Sequence, residues 1–319
     1  MNKSVCVLGA GDWGKNHIKT LYSLGALGGI VETNVKNLNL ISNDYPKIQC
    51  YDNLNDALHQ GYDGYIISTP AKTHFSLAKK IISAKKPVLI EKPMALSIED
   101  AKEIYLLSKL NNVNVMVGHV MLFHPAIEKI KQIIDSRGIG KLQYIYSNRL
   151  NLGKVRTEEN VFWSLAPHDI AIFQYLTGSK PVHVHSNGST FLQEGIPDST
   201  ITQLTYKDGV KGHIFVSWLH PFKEHRLVVV GSKAMISFED SAQDKPLKLY
   251  SKQINLGKGM PQKIDGPIEL IQYDKKFPLE KELEYFINSF DGSPLKIANA
   301  KQGLDVVEIL VKSSKQLLV

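Results

Sequence analysis

Lys92 and His168 are the two side chains of this sequence whose surroundings best suit proton transfer. Lys92 follows a short apolar run and precedes Pro93, whose ring fixes the backbone of the turn. In a partly dry cleft beside a positive charge, a lysine releases its proton more readily, so it could act as an acid, a base or a donor to a hydroxyl. A solvated lysine beside a proline is the alternative interpretation.

His168 lies in the segment WSLAPHD, residues 163–169. We expect Ser164 to cap a helix and Pro167 to lie in its first turn. His168 would then lie near the helix start, where the helix dipole favours a neutral imidazole, the form that removes a proton from a hydroxyl. Asp169 either orients His168 or favours the helix start.

A glycine-rich turn lies near the beginning of the chain, where residues 5–14 read VCVLGAGDWG. A short apolar strand there leads into G-x-G-x-x-G at Gly9, Gly11 and Gly14. The first glycine allows a tight turn, the second lets a pyrophosphate approach the backbone, and the third lets the helix pack on the strand. The helix N-terminus offers free N–H groups to the anion. The turn predicts a dinucleotide site, although a structural turn is the alternative.

Glu32 ends the second apolar run, about twenty residues after the glycine turn. A carboxylate at this place accepts hydrogen bonds from the adenosine ribose and repels a 2′-phosphate. Thr33 and Asn34, which follow it, add no arginine for a phosphate. These residues favour NAD over NADP as the cofactor, and a solvated acid at a strand end is the alternative.

The first part of the chain alternates apolar strands with helical patterns, which predicts a parallel sheet with right-handed crossovers. Ligands of such sheets lie beyond the carboxyl ends of the strands, where polar residues of this sequence cluster. The residues that we expect at the cofactor are Gly9, Gly11, Asp12, Trp13, Gly14, Glu32, Ser68, Thr69, Pro70, His74, Glu91, Lys92 and His119.

The pattern changes after His119, where β-rich runs follow one another with Gly and Asp turns between them. Such a succession predicts a large, mostly antiparallel open sheet covered by helices on one face. Residues 240–276, rich in Pro and Gly, read as strand fragments in a long excursion. The expected strands cover residues 142–152, 182–192, 199–206, 210–217, 226–230 and 234–238, and the expected helices cover residues 125–135, 165–176, 279–289 and 298–317.

The length of 319 residues favours two domains over one small core. We predict an α/β Rossmann domain over residues 1–121 and an α+β domain over residues 122–319, which would bind substrate and form the oligomer.

The composition is that of a globular protein with a formal net charge of +7. No long Lys/Arg block is present, so we expect an anionic small substrate and no nucleic acid. No apolar run is long enough for a membrane, and we expect no signal peptide. Cys6 and Cys50 make neither a disulfide framework nor a metal site, and no histidine spacing indicates a metal. We therefore expect a cytoplasmic protein without a metal.

Four motifs in this order resemble the glucose–fructose oxidoreductase/inositol dehydrogenase/MocA family over essentially the whole chain. They are GAGDWG at 9–14, EKP at 91–93, GH at 118–119 and HD at 168–169. The resemblance implies a Rossmann domain followed by an open, mostly antiparallel sheet that often forms a homodimer or homotetramer interface. It implies that Lys92 contacts substrate and nicotinamide, that His168 is the acid/base, and that Glu91 and His119 lie on the cofactor side.

A narrower resemblance lies in GDWGKNH at 11–17 and RLNLGKVRT at 149–157, which are similar to the branch of UDP-N-acetylglucosamine 3-dehydrogenases. In that branch the 3-keto product feeds an aminotransferase in lipopolysaccharide (lipid A) synthesis. Many relatives carry an aspartate four residues before the catalytic histidine, where this chain has Ser164. The residues that we expect at a UDP-sugar are Lys92, Arg149, Asn151, Arg156, Asn160, Trp163 and His168.

The sequence therefore predicts an NAD-dependent dehydrogenase that oxidises a secondary hydroxyl of a nucleotide sugar, in first place C3 of UDP-N-acetylglucosamine. The alternatives among enzymes are a UDP-N-acetylglucosaminuronate 3-dehydrogenase, another sugar or inositol dehydrogenase, and a 3-ketosugar reductase. A non-catalytic protein that senses NAD(H) is the alternative from another class. A methyltransferase would also use a glycine-rich turn and an acid, but it would not explain Lys92 and His168.

Overall fold

A computed structural model of the chain describes residues 3–257 and 259–317. The chain forms two compact units and passes from one to the other after Phe123, after Lys275 and after Glu308. This differs from the expected single division between residues 121 and 122, because residues 276–308 return to the first unit.

The first unit contains a six-stranded parallel sheet in the order β3-β2-β1-β4-β5-β6. This order, with the first strand in the centre, is that of a Rossmann fold and confirms the predicted architecture. Strands β1, β4, β5 and β6 are buried along their whole length, as expected of strands covered on both faces. The strands are β1 (Val5–Leu8), β2 (Leu27–Val31), β3 (Gln49–Tyr51), β4 (Gly64–Ile67), β5 (Val88–Glu91) and β6 (Val115–Gly118).

The crossover helices begin at side-chain caps that the sequence makes available. Asn34, Asn53 and Ser97 each accept a hydrogen bond from the main-chain N–H three residues later. The helices are α1 (Gly14–Ser23), α2 (Val35–Asp44), α3 (Leu54–Leu58), α4 (His74–Ser83) and α5 (Ile98–Leu110). Short 3-10 helices lie at Ala71–Thr73, Val120–Phe123 and Ser289–Asp291.

The second unit contains an eight-stranded sheet in the order β14-β13-β12-β11-β7-β10-β9-β8. Of its neighbouring strands, β7 and β10 pair parallel, and the other described pairs are antiparallel, which confirms the predicted mostly antiparallel sheet. The strands are β7 (Leu142–Leu150), β8 (His183–Ser189), β9 (Ser199–Thr205), β10 (Lys211–Ser217), β11 (Glu224–Gly231), β12 (Met235–Glu239), β13 (Leu247–Asn255) and β14 (Gln262–Leu270).

Three helices accompany this sheet: α6 (Pro125–Asp135), α7 (Val161–Leu165) and α8 (Pro167–Thr177). Helix α7 packs on β9 and β10, and α8 packs on β7 and β10, so helices cover one face as expected. The helix expected over 165–176 is present as α8, which begins two residues later than expected and ends at its cap Gly178, whereas α7 before it was not expected. Pro167 begins α8, since proline has no N–H to continue a preceding helix.

The strand fragments expected over residues 240–276 are two regular strands, β13 and β14, which pair with each other. Pro267 lies within β14, which is the edge strand of the sheet. An edge strand tolerates proline because one row of its N–H groups has no ladder partner. The proline and glycine content that hides these strands in the sequence is therefore compatible with their position.

Helix α9 (Pro278–Asn288) and the beginning of α10 (Ala300–Leu317) complete the first unit. Helix α9 packs on α1 and on the 3-10 helix at 120–123. The Val117 N–H donates to the Ala298 carbonyl at 2.7 Å, which ties the end of β6 to the segment before α10. These contacts explain why residues 276–308 belong with the Rossmann sheet.

Glu282 is a buried acid of α9, with 0% of its surface exposed. Neither carboxyl oxygen has a hydrogen-bond partner among the described residues. Burial raises the pKa of Glu282 well above its usual value, and the negative charge of Glu91 adds to the shift. Burial therefore favours the protonated form of Glu282 in the folded protein.

We predict that Glu282→Gln raises the thermal unfolding midpoint at pH 8 by about 3 °C. In the unfolded chain Glu282 ionises above a pKa of about 4.3, so the wild type loses stability as the pH rises above that value. The gain should shrink at pH 5, as calorimetry at the two pH values would reveal. Glu280→Gln, on the half-exposed side of α9, is the matched control. An equal gain at both pH values contradicts the prediction.

Candidate active site

The glycine turn after β1 has the shape that a dinucleotide requires. Gly9 has a φ of +92°, which favours glycine. A Cβ on Gly14 would collide with the Gly9 carbonyl oxygen, so the third glycine allows α1 to pack against the turn. A Cβ on Gly11 would meet no heavy atom within 4 Å. The space above Gly11 is therefore open to a ligand.

Glu32 lies at a cavity of about 350 Å³ beside this turn. Its carboxylate accepts hydrogen bonds from the N–H groups of Ala10 and Asn34, both at 2.8 Å. These two bonds hold the acid at the end of β2 and leave lone pairs for ribose hydroxyls. Other residues that line the cavity are Gly9, Gly11, Thr33, Asn37, Ser68, Thr69 and Pro70.

The turn after β4 is bonded to the glycine turn through Ser68. The Ser68 hydroxyl lies 2.9 Å from the Leu8 carbonyl oxygen and 3.0 Å from that of Gly9. The Thr69 hydroxyl is bonded to that of Thr73 at 2.7 Å. Ser68 therefore shapes the cavity wall through main-chain contacts.

Glu91, at the end of β5, is a buried carboxylate on which three donors converge. It accepts hydrogen bonds from the Trp13 indole N–H, from His17 Nε2 at 2.7 Å and from the Lys92 main-chain N–H at 3.2 Å. Burial alone would raise the pKa of Glu91, but the bond from His17 and the charge of Lys92 hold it below its usual value. Glu91 thus remains ionised and anchors α1 to the end of β5.

Trp13 and His17 contribute differently to this anchor. Trp13, expected at the cofactor, donates to Glu91 while 42% of its surface stays exposed beside the turn. His17 is fully buried, and sequence reasoning missed its role. Its spacing is the available signal, because a residue three positions after Gly14 lies on the face of α1 that contacts the sheet.

His74 holds the turn that carries Lys92. Its Nδ1 lies 2.9 Å from the Pro93 carbonyl oxygen, and its Nε2 lies 2.8 Å from the Thr69 carbonyl oxygen. The ring therefore links the turn after β5 to a residue that lines the cavity. Lys92 itself is half-buried, and its peptide bond to Pro93 is cis.

The sequence predicts cofactor contacts for His74 and His119, but the structure buries both rings to 1% exposure. Both ring nitrogens of His74 face main-chain carbonyls, so this side chain is a support for the site. Burial lowers the pKa of His119 to about 4, so its imidazole is neutral at the end of β6 near Glu91 and Lys92. Both rings lie below the surface of the first unit, and their expected contacts with the cofactor stay predictions.

Arg149, expected to bind a diphosphate, is paired inside the second unit. Its Nε donates to Asp169 Oδ2 at 2.7 Å, and its Nη2 donates to Asp169 Oδ1 at 3.2 Å. The Arg149 side chain is only 10% exposed. Its fork is occupied by a carboxylate of α8, so Arg149 supports this helix, and its expected contact with a substrate stays a prediction.

Asn160 and Trp163 also have internal partners. Asn160 is the cap of α7, because its side-chain oxygen accepts from the Trp163 N–H at 3.1 Å. The Trp163 indole N–H donates to the Ser314 hydroxyl at 2.8 Å, and Trp163 is half-buried. Ser164, expected to cap the helix that carries His168, lies inside α7, and α8 follows Ala166 without a side-chain cap, so the expected cap is wrong.

His168 is the second residue of α8, so it lies near a helix start as expected. The residue is half-buried. Asn151 and Arg156 lie in the irregular segment between β7 and α7, where 46% of the Arg156 side chain is exposed. Asp12 is an exposed residue of the glycine turn. Of the expected substrate residues in this unit, Arg156 is exposed, and His168 and Asn151 are half-buried.

Within the described residues, no cluster of three or more His, Cys, Asp and Glu has a geometry suited to a metal ion. Over the same residues, no helix is both long and apolar enough to cross a bilayer.

The first unit thus combines a Rossmann sheet, an open glycine turn and an acid at the end of β2, which are the features of a dinucleotide-dependent oxidoreductase. Comparison with family models agrees with this class. Residues 3–119 match the oxidoreductase family with an NAD-binding Rossmann fold, and residues 127–237 match the GFO/IDH/MocA C-terminal domain. The chain belongs to the GFO/IDH/MocA family of oxidoreductases, and its first unit is an NAD-binding domain.

The chain is 26% identical over 286 residues to the UDP-N-acetylglucosamine 3-dehydrogenase of Acidithiobacillus ferrooxidans, covering 89% of this chain and 87% of that protein. A solved structure of that enzyme matches the fold with a TM-score of 0.87 at 22% identity, over 99% and 98% of the two chains. The WlbA dehydrogenase of Bordetella pertussis, solved with NADH and UDP-GlcNAcA, matches with a TM-score of 0.80 at 20% identity, over 99% and 96%.

We predict that Gly11→Ala and Gly14→Ala separate binding from folding. Gly11→Ala should keep the wild-type thermal stability and weaken NAD binding by about tenfold or more, because its methyl group enters the open space that a pyrophosphate would occupy. Gly14→Ala should destabilise the protein, since its methyl group meets a main-chain oxygen. Calorimetry and NAD titration measure the two effects. Unchanged NAD binding by Gly11→Ala would place the pyrophosphate elsewhere.

We predict that Glu32→Gln weakens NAD binding about tenfold and reduces the preference for NAD over NADP. The variant loses the charge that repels a 2′-phosphate and one acceptor for the turn. Titration with both dinucleotides gives the ratio of dissociation constants. Asp44→Asn, at the exposed end of α2, is the control. An unaltered ratio would show that Glu32 does not contact the ribose.

Proposed function

We propose that the protein is an NAD-dependent dehydrogenase that oxidises a secondary hydroxyl of a nucleotide sugar, with C3 of UDP-N-acetylglucosamine as the first candidate. The enzyme class rests on the family, and the proposed substrate rests on the site and on the relatives.

The placement of Lys92 is the observation that carries this proposal. Glu91 bonds to its main-chain N–H, and His74 links the following Pro93 to Thr69 in the cavity wall. The lysine therefore follows the buried strand β5, and its turn is bonded through His74 to a residue of the cavity wall. A surface lysine with only a solvation role would not need these buried supports.

The chemistry follows from the residues of the two units. Bound NAD supplies the hydride acceptor, and the protein supplies positions and charges. His168, in the first turn of α8, or Lys92, at the end of β5, removes the hydroxyl proton. Ser164 brings no charge to this reaction, so we assign more of the proton transfer to Lys92.

A nucleotide sugar is supported by two observations. The relative from Acidithiobacillus ferrooxidans acts on UDP-N-acetylglucosamine and aligns with 89% of this chain. The exposed Arg156 lies in the segment after β7, where it is accessible to a diphosphate. The oligomer through the second sheet and an aminotransferase that uses the product stay predictions.

We predict that Lys92→Met lowers turnover by about 100-fold or more while NAD binding stays within about twofold of the wild type. The substitution removes the amino group and keeps the apolar stem, so the turn and cavity are preserved. Lys102→Met, on the exposed face of α5, is the control. The rate of NADH formation, followed by its absorbance, measures turnover. Undiminished turnover by Lys92→Met would contradict a role of Lys92 in the reaction.

A substrate panel tests the proposal itself. The purified protein with NAD should reduce the cofactor with UDP-N-acetylglucosamine faster than with UDP-N-acetylglucosaminuronate, free sugars or inositols. A preference for one of these would replace the proposed substrate, and turnover only with a 3-ketosugar and NADH would reverse the direction. Tight NAD(H) binding without turnover of any compound would favour the sensing protein.

A further inference from the structure

The second unit contains a group of buried charged and titratable side chains that includes Asp169, the residue after His168. We call Asp169, Arg149, His225 and Asp240 the Arg149 network. Its central pair is the bidentate bond between Arg149 and Asp169, with side chains that are 10% and 4% exposed. Such a fork holds both groups in a defined geometry. Asp169 directly follows His168 in the first turn of α8.

His225 continues the network on the other side of Arg149. The two residues are paired across β7 and β11, and Arg149 Nη1 lies 3.3 Å from His225 Nδ1. Burial lowers the pKa of His225, and the Arg149 charge lowers it further. A neutral His225 accepts a hydrogen bond at Nδ1 from the Nη1 N–H of Arg149. The third nitrogen of the guanidinium therefore also has a partner.

Asp240 ends the network after β12. Its Oδ2 lies 3.9 Å from His225 Nδ1, and its N–H donates to the His225 carbonyl at 2.8 Å. Its Oδ1 accepts from Lys245 at 2.8 Å and lies 3.9 Å from His124 Nε2, before α6. Lys223 adds a positive charge near His225. Groups from every neighbouring element therefore hold the network in one arrangement.

The charge of Asp169 explains why this arrangement matters for catalysis. A buried carboxylate without a countercharge, next to His168, would favour the protonated imidazole. Arg149 neutralises that carboxylate, and the N-terminal end of α8 then favours the neutral imidazole. A base must be neutral to accept a proton.

We propose that Arg149 and His225 are positioning residues that keep His168 in its neutral form, by neutralising Asp169 and holding the first turn of α8. The proposal rests on the proposed function, in which His168 takes part in proton transfer. It replaces the expected contact of Arg149 with substrate by an action through Asp169.

Histidine-labelled NMR of the full chain tests the proposal directly. The ring signal of His168, identified by its loss in His168→Gln, is titrated in the wild type and in Arg149→Met. Arg149→Met should move the His168 titration midpoint to higher pH by about one unit, because Asp169 is left without its countercharge. Arg149→Lys keeps the charge and should bring the midpoint back most of the way.

Activity gives a second readout with NAD and UDP-N-acetylglucosamine. Arg149→Met should lower kcat/KM at neutral pH about tenfold and move the acidic limb of its pH profile upward. His225→Leu, which removes the acceptor for Nη1, should lower kcat/KM in the same direction. His225→Asn offers an amide oxygen near the place of Nδ1 and should restore most of it. Arg226→Met, which breaks an exposed ion pair with Glu239, is the matched control.

Arg149→Met combined with Asp169→Asn removes both charges if the single variant does not fold. This double variant should titrate at His168 as the wild type does. The proposal is overturned if the midpoint in folded Arg149→Met equals that of the wild type, or if the double variant, unlike the wild type, shows the raised midpoint. Absence of turnover with every sugar would instead defeat the proposed function, and the NMR titration would still decide this inference.

Discussion

The carboxylate of Glu91 is the constraint on which the first unit's site depends. A buried charge is stable only where donors converge on it, and here the donors come from the glycine turn, from α1 and from the turn after β5. The dinucleotide turn and Lys92 are therefore held by one group. The position of a candidate catalytic lysine thus follows from the packing of the helix that begins at Gly14.

The same physics acts in the second unit with a different outcome. Arg149 is chemically suited to a diphosphate, yet its fork is bonded to Asp169 and it faces His225. A buried guanidinium with a carboxylate partner supports structure, because releasing it would leave Asp169 without a countercharge. Residue type alone indicates which bonds a side chain can make, whereas burial and partners decide whether a ligand receives them.

Several features could be predicted because they depend on local order along the chain. The glycines of the turn, Glu32 and the alternation of strands and helices each follow from the spacing of residues within about thirty positions. The strands at 247–255 and 262–270 could not, because Pro267 is allowed only by its place at a sheet edge. The place of Pro167 in the first turn of a helix could be predicted from the sequence, but the cap at Asn160 requires knowing where α7 begins.

By itself the sequence determined the Rossmann topology, the glycine turn with the acid Glu32 at the end of β2, and the candidates Lys92 and His168. These depend on backbone conformation and on residue type at short range. Only the tertiary structure decided that His17 supports Glu91 and that Arg149 is bonded to Asp169. Such pairs join residues that lie far apart in the chain, and their partners are chosen by packing and by the cost of burying a charge alone.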